Sequence, residues 1–167
     1  MNTLAKEIEI VQNPALGALL LWRFAFAYQE HSRNGEGPSL LLSYLVLPLV
    51  WDEGTLRHLQ STRAASGLRA FVSKFSDSTN SSFDVLLELH ERVGRWKSKT
   101  REALKVCFAT ELLSLTEEGN LKAGAPRFSI SKQPSKIRAL CFCSEKIGEW
   151  FARLSVRDIC LILHVRF

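Results

Sequence analysis

Asn13-Pro14, followed at once by Ala15-Leu16-Gly17-Ala18-Leu19-Leu20-Leu21-Trp22-Arg23-Phe24, constrains this chain more than any other stretch. An asparagine side chain suits the cap position, and proline at the first helical position gives up only an N–H that no intrahelical carbonyl would have met. The spacing therefore predicts a helix that starts at Pro14 with a fixed register. Leu16, Leu19, Leu20 and Phe24 then share one face, while Leu21, Trp22 and Ala25 widen the apolar arc. A helix this apolar is either wholly buried in a core or turns one face to a partner chain. The Trp22 and Arg23 side is the expected partner face.

A chain of 167 residues, 46% of them hydrophobic, can bury roughly 70% of its unfolded surface as one domain. Its four cysteines, Cys107, Cys141, Cys143 and Cys160, include a C-x-C pair but no C-x-x-C, and the four histidines are scattered away from ligand spacings. Reduced core thiols are expected. Lys6, Glu7 and Glu9 interrupt the N-terminus where a signal peptide would need an apolar stretch, so an intracellular, cytoplasmic location is expected. The longest apolar run, Leu40 to Trp51, contains Ser43, Tyr44 and Pro48 and falls short of the ~20 residues of a membrane helix. Net charge is +5, yet residues 1–90 carry −2 and residues 91–167 carry +7. An anionic partner would meet the second half.

Along the chain, Glu30 to Ser39 is polar and holds Gly35, Gly37 and Pro38, which marks a loop. Ser39 is placed to cap a buried helix from Leu40 that Pro48 should end near Leu47, with a central strand as the alternative. Asp52 opens a short helix from Glu53 to Ser61, and Ser66 begins another that reaches about Phe75. Ser76 to Ser82 is the clearest polar linker. Beyond it, Val85, Leu86, Leu89 and Val93 repeat at helical spacing. A second helix is expected to start afresh at Thr100 and to bury Leu104, Cys107, Phe108 and Leu112. Two short β-capable arms then flank a Glu118-Gly119-Asn120 turn.

Pro134-Ser135 opens a long helix striped with Leu140, Cys143, Ile147, Trp150, Phe151 and Leu154, and Ile159 to Val165 is expected to form a final strand or buried tail. The fold class is therefore mainly α (α+β): a compact helical domain over residues 1–167 with a winged-helix-like helix plus β-hairpin. Residues 1–75 form an N-terminal helical part, 76–82 a linker, and 83–167 a basic winged-helix-like part.

The chain carries no G-x-x-x-x-G-K-[ST], no G-x-G-x-x-G, no H-E-x-x-H and no G-x-S-x-G. It is expected to be no enzyme, with no cofactor and no metal. Basic residues gather instead: Arg92, Arg95, Lys97, Lys99, Arg101 and Lys105 flank Trp96 to Thr100, and Lys122, Lys132 and Lys136 follow in a segment without acids. Arg95, Lys97, Lys99, Arg101, Lys122, Lys132 and Lys136 are the candidate DNA contacts, a solvated helix face being the other reading. Arg23 and Arg69 are lone cations inside apolar stretches. With Trp22, Trp150 and Phe151 they are the candidate partner-binding residues.

The N-P-A-L-G-A-L-L-L-W-R-F opening, Leu45 to Val50 (L-V-L-P-L-V), Ser66 to Phe71 (S-G-L-R-A-F), the helix ending in Leu112-Leu113-Ser114-Leu115, and Ile147 to Ala152 (I-G-E-W-F-A) occur in one order. In that order they resemble the middle component of three-component ABC-ATPase systems. Leu163-His164-Val165 stands where a leucine-glycine-valine turn is usual in that family. The resemblance implies a small non-catalytic subunit between an effector and an SMC-like ABC ATPase, in Lamassu-type defence against phages and plasmids. Its implied partners are those two subunits in a hetero-oligomer, with no membrane and with DNA contact as an optional addition. The competing class is a stand-alone winged-helix DNA-binding regulator, in which the Thr100 helix would read bases. That helix offers few Asn, Gln or Arg side chains for the purpose.

Overall fold

The Asn13 cap forms as its chemistry requires: Oδ1 accepts the N–H of Leu16 at 2.7 Å, and α1 spans Pro14–His31. The structure, a computed structural model, describes residues 13–75, 82–125 and 129–167. After α1 come α2 (Leu40–Val50), α3 (Glu53–Ser61), a 3-10 turn (Ala64–Ser66), α4 (Gly67–Ser73) and α5 (Ser82–Ala109). The strands β1 (Leu113–Leu115) and β2 (Leu121–Ala123), a 3-10 turn (Ile130–Lys132), α6 (Ser135–Ala152) and α7 (Val156–Leu163) complete the described residues. The architecture is mainly helical with one two-stranded antiparallel sheet.

α1 is the axis of the molecule. It packs most extensively on α6 and next on α5, with α2 and β2 also against it. Leu20, Leu21, Trp22, Phe24 and Ala25 are fully buried, so the apolar arc is wider than any one neighbour and is shared among several. α1 and α6 run in the same direction, their last turns lying together where Tyr28 and His31 line one pocket with Ala152 and Arg153. Arg23 pairs with Glu145, Phe24 meets Phe151 edge-on at 5.9 Å, and His31 Nε2 lies 3.9 Å from Glu149.

Two glycines set how closely these helices approach. A Cβ on Gly148 would lie 2.4 Å from the Phe24 carbonyl oxygen, and one on Gly17 would lie 2.9 Å from the Ala103 Cβ. Both distances are below contact, so each crossing needs hydrogen at that position. The opening and closing sequence motifs are thus helix-packing devices.

α2 begins without a side-chain cap from Ser39. Its Leu40 N–H donates instead to the Gly119 carbonyl at 3.1 Å, and Leu121 N–H donates to Pro38 at 2.8 Å. The loop from 32 to 39 is thereby tied to the hairpin. The expected break near Leu47 does not occur, since α2 continues through Pro48 to Val50. Pro48 sits in the last turn, where its ring forgoes only the bond to the Tyr44 carbonyl. Asp52 caps α3 as expected, accepting the Thr55 N–H at 2.9 Å.

The expected fresh start at Thr100 is likewise overturned: α5 is one unbroken helix of 28 residues. Its sequence from Trp96 to Thr100 holds neither proline nor glycine, and Thr100 is fully buried on the core side beside Ala103, Leu104 and Cys107. Phe108, expected in the stripe, is 39% exposed. The helix-then-hairpin part of the expected fold is present, with Leu113 opposite Ala123 and Leu115 opposite Leu121. Gly119 takes φ +81° in the turn.

The apolar run expected as a final strand or tail is instead mostly α7. Ser155 caps it by accepting the Asp158 N–H at 3.1 Å, and the helix ends at His164 in the left-handed conformation, φ 53°. One contiguous core joins Leu20, Trp22 and Phe24 of α1 to Cys107, Ile147, Trp150 and Phe151. It therefore draws on both sides of the expected 76–82 linker, of which residues 76–81 lie outside the described residues.

Candidate functional site

The structure divides the residues expected to bind a partner. Trp22, Trp150 and Phe151 are at most 1% exposed, which removes them from any surface and corrects that expectation. Their polar atoms are used internally: Trp22 Nε1 donates to the Gly124 carbonyl at 3.1 Å and Trp150 Nε1 to the Ala64 carbonyl at 2.7 Å. Large aromatic rings bury best when the one polar atom finds an acceptor, and both rings do. Arg23 is half-buried, bound to Glu145 and close over the Trp22 ring at 5.5 Å. Arg69 is exposed on α4.

Among the basic residues, Arg92 is not surface at all. It is 8% exposed, reaches Asp52 at 3.2 Å and donates to the Pro48 carbonyl at 3.2 Å, locking α5 to the end of α2. Lys146 does similar work, donating at 2.7 Å to the carbonyls of both Leu59 and Thr62. Neither contact has a sequence signal, because each depends on a backbone carbonyl far away along the chain.

Arg95, Lys97, Lys99, Arg101 and Lys105 are all exposed on α5, but they do not form one patch. At 100° per residue, Arg95 and Lys99 fall among Glu88, Glu91 and Glu102 on one edge, whereas Lys97 and Arg101 fall on the other and Lys105 lies between the two, three residues from Glu102. Lys99 is also engaged with the Trp96 ring, 5.4 Å from its centroid. Lys122 on β2, Lys132 on its 3-10 turn and Lys136 at the start of α6 are exposed on three separate elements.

The residues missed by sequence reasoning are apolar. Leu87 is 49%, Leu161 63% and Phe167 52% exposed, and all three line one cleft of about 790 Å³ between α5, α7 and the tail. His90, Arg157, Cys160, Val165 and Arg166 complete much of its wall, and among the described residues no aspartate or glutamate contributes to it. The tail is held there by the Arg166 N–H, which donates to His90 Nδ1 at 3.4 Å. Leu161 and Phe167 were hidden because a nearly continuous apolar run gives no way to tell its inward from its outward positions until its helical period is known.

Cys107, Cys141 and Cys143 are buried, Cys160 is half-buried, and none of the four thiols is activated. Loss of hydration pushes Cys107 up to about 12 and Cys141 up to about 11, and it raises Cys143 and Cys160 as well. A protonated thiol is a poor nucleophile and a poor metal ligand. Among the described residues no group of three His, Cys, Asp or Glu is placed to hold a metal ion, and no helix is long and apolar enough to cross a membrane.

Over residues 1–167 the chain matches the family model described as ABC-three component (ABC-3C) system Middle Component 3. No curated protein and no solved structure matches it.

Proposed function

The chain belongs to the Middle Component 3 family of ABC-three component systems, and we propose that it is a non-catalytic accessory subunit bridging an SMC-like ABC ATPase and an effector. The system is of the Lamassu type, acts in the cytoplasm against phage or plasmid, and uses a nuclease or similar killing effector. In this reading the ATPase hydrolyses nucleotide and senses DNA, the effector kills, and the middle component couples or restrains them.

One observation carries the reading beyond the family's name. The core is already closed around α1, yet Leu87, Leu161 and Phe167 remain outside it and gather in one cleft. Single apolar side chains on a surface mean little, but a cluster bounded by basic groups is how a subunit contact looks before its partner is added.

The rival reading, a stand-alone winged-helix regulator, needs a separate recognition helix whose outer face enters the major groove. Here the Thr100 segment is the middle of a long helix committed to the core. The exposed lysines and arginines of α5 supply phosphate contact without base readout, so any DNA binding by the chain is weak and falls steeply with salt.

Co-expression with the neighbouring ATPase and effector genes tests the bridge. A complex containing all three chains that survives gel filtration is the expected result; recovery of this chain alone would overturn it.

A further inference from the structure

The cleft and the Lys97 and Arg101 edge of α5 adjoin, because Leu87 and His90 of α5 line the cleft. Leu87 and Lys105 are eighteen residues apart, about five turns of 3.6 residues, and so are His90 and Phe108. Each pair therefore repeats on its own line, the two lines about 60° apart, and Lys97 and Arg101 lie within about 20° of the line from His90 to Phe108. This exposed edge runs for ~32 Å from Leu87 to Phe108 at 1.5 Å per residue. It is apolar at each end and basic in the middle. At its Leu87 end it opens into the cleft floored by Leu161, Val165 and Phe167 and rimmed by Arg157 and Arg166.

We propose that this surface is the docking site for an acidic amphipathic α-helix of a partner subunit, a proposal that rests on the bridging role above. A second helix laid along α5 would place its acidic residues, one per turn, against Lys97 and Arg101. Its apolar residues would fill the cleft at one end and cover Phe108 at the other. Duplex DNA would match the cations but leave the apolar ends uncovered, so charge and apolar surface together select a protein helix. Glu88, Glu91 and Glu102 all lie about 80° or more round the helix from Lys97 and Arg101.

The test uses the full chain with its co-expressed ATPase and effector. Cys160 lines the cleft and is the least buried of the four cysteines, so maleimide labelling of wild-type protein reports coverage without any mutation. Labelling should slow about tenfold or more in the complex. Leu161→Asp, and separately Lys97→Glu with Arg101→Glu, alter exposed positions and should leave the fold intact by circular dichroism while weakening the complex about tenfold or more.

Unchanged Cys160 labelling in a complex that forms, or a complex indifferent to both variants, would overturn the docking proposal and leave the bridging role standing. Absence of any complex with wild-type chain would overturn both. If the charge reversals abolish DNA binding by an intact complex, the edge is a nucleic-acid contact and the proposal fails. If Leu161→Asp converts a free dimer to monomer, the occupant is a second copy and the proposal fails equally.

Discussion

Gly148 is the residue on which the central packing turns. The Phe24 carbonyl oxygen occupies the space where its Cβ would stand, so Gly148→Ala forces α1 and α6 apart and should cost ~2 kcal/mol in urea denaturation. Gly94, with nothing near its missing Cβ, provides the contrast: alanine there should stabilise by ~0.5–1 kcal/mol through helix propensity alone. His164 presents the opposite case, a side chain where the backbone favours none. It holds φ 53° at the end of α7, a left-handed conformation that favours glycine. His164→Gly should stabilise by about 0.5–1 kcal/mol, measured the same way. The cysteines give a chemical reading of burial. Cys107, pushed up to about 12, and Cys141, pushed up to about 11, stay protonated. Alkylation of the folded free chain at pH 8 should therefore modify Cys160 first and leave those two until unfolding.

At the scale of elements, α5 is the most consequential difference between sequence and structure. If Thr100 began a new helix, proline at Ser98 would be tolerated in the join. Because α5 is continuous, Ser98→Pro removes an internal hydrogen bond and clashes with the preceding turn, and thermal denaturation should show a loss of ~3 kcal/mol. The start of α1, the Asp52 cap of α3, the hairpin around Gly119 and the start of α6 near Pro134 were legible, since each rests on local chemistry. What was not legible depended on tertiary context. A threonine with a nearby acid looks like a cap, but Thr100 is buried mid-helix, where packing outweighs capping preference. Pro48 looks like a stop, yet it falls within the last turn of α2. The Ile159 to Val165 run suits a strand by composition, but the Ser155 cap and the left-handed turn at His164 make most of it a helix. The same mechanism hid the candidate site. Trp22, Trp150 and Phe151 looked like interface anchors because they are large. They are core because α1 is surrounded by α2, α5, α6 and β2. Arg23 and Arg69 were singled out as isolated cations, and of the two only Arg69 stands fully exposed.

For the molecule as a whole, one core organised by α1 leaves mixed charge on one edge of α5 and, on the other, Lys97 and Arg101 leading to an apolar cleft. In the docking proposal this Middle Component 3 protein meets its partner with α5, α7 and the residues after α7. Leu20→Asp, placed in the closed core, should unfold the chain and lose partners for that reason. Leu161→Asp should lose partners while folded, and circular dichroism separates the two. The most direct measurement of the central claim is light scattering on gel-filtered material from cells co-expressing this chain with the ABC ATPase and effector proposed as its partners. The account predicts a single peak whose mass requires all three chains and which releases the middle component when Leu161 is replaced by aspartate. A monomer of this chain eluting alone, and binding one DNA duplex at nanomolar concentration in physiological salt, would contradict it.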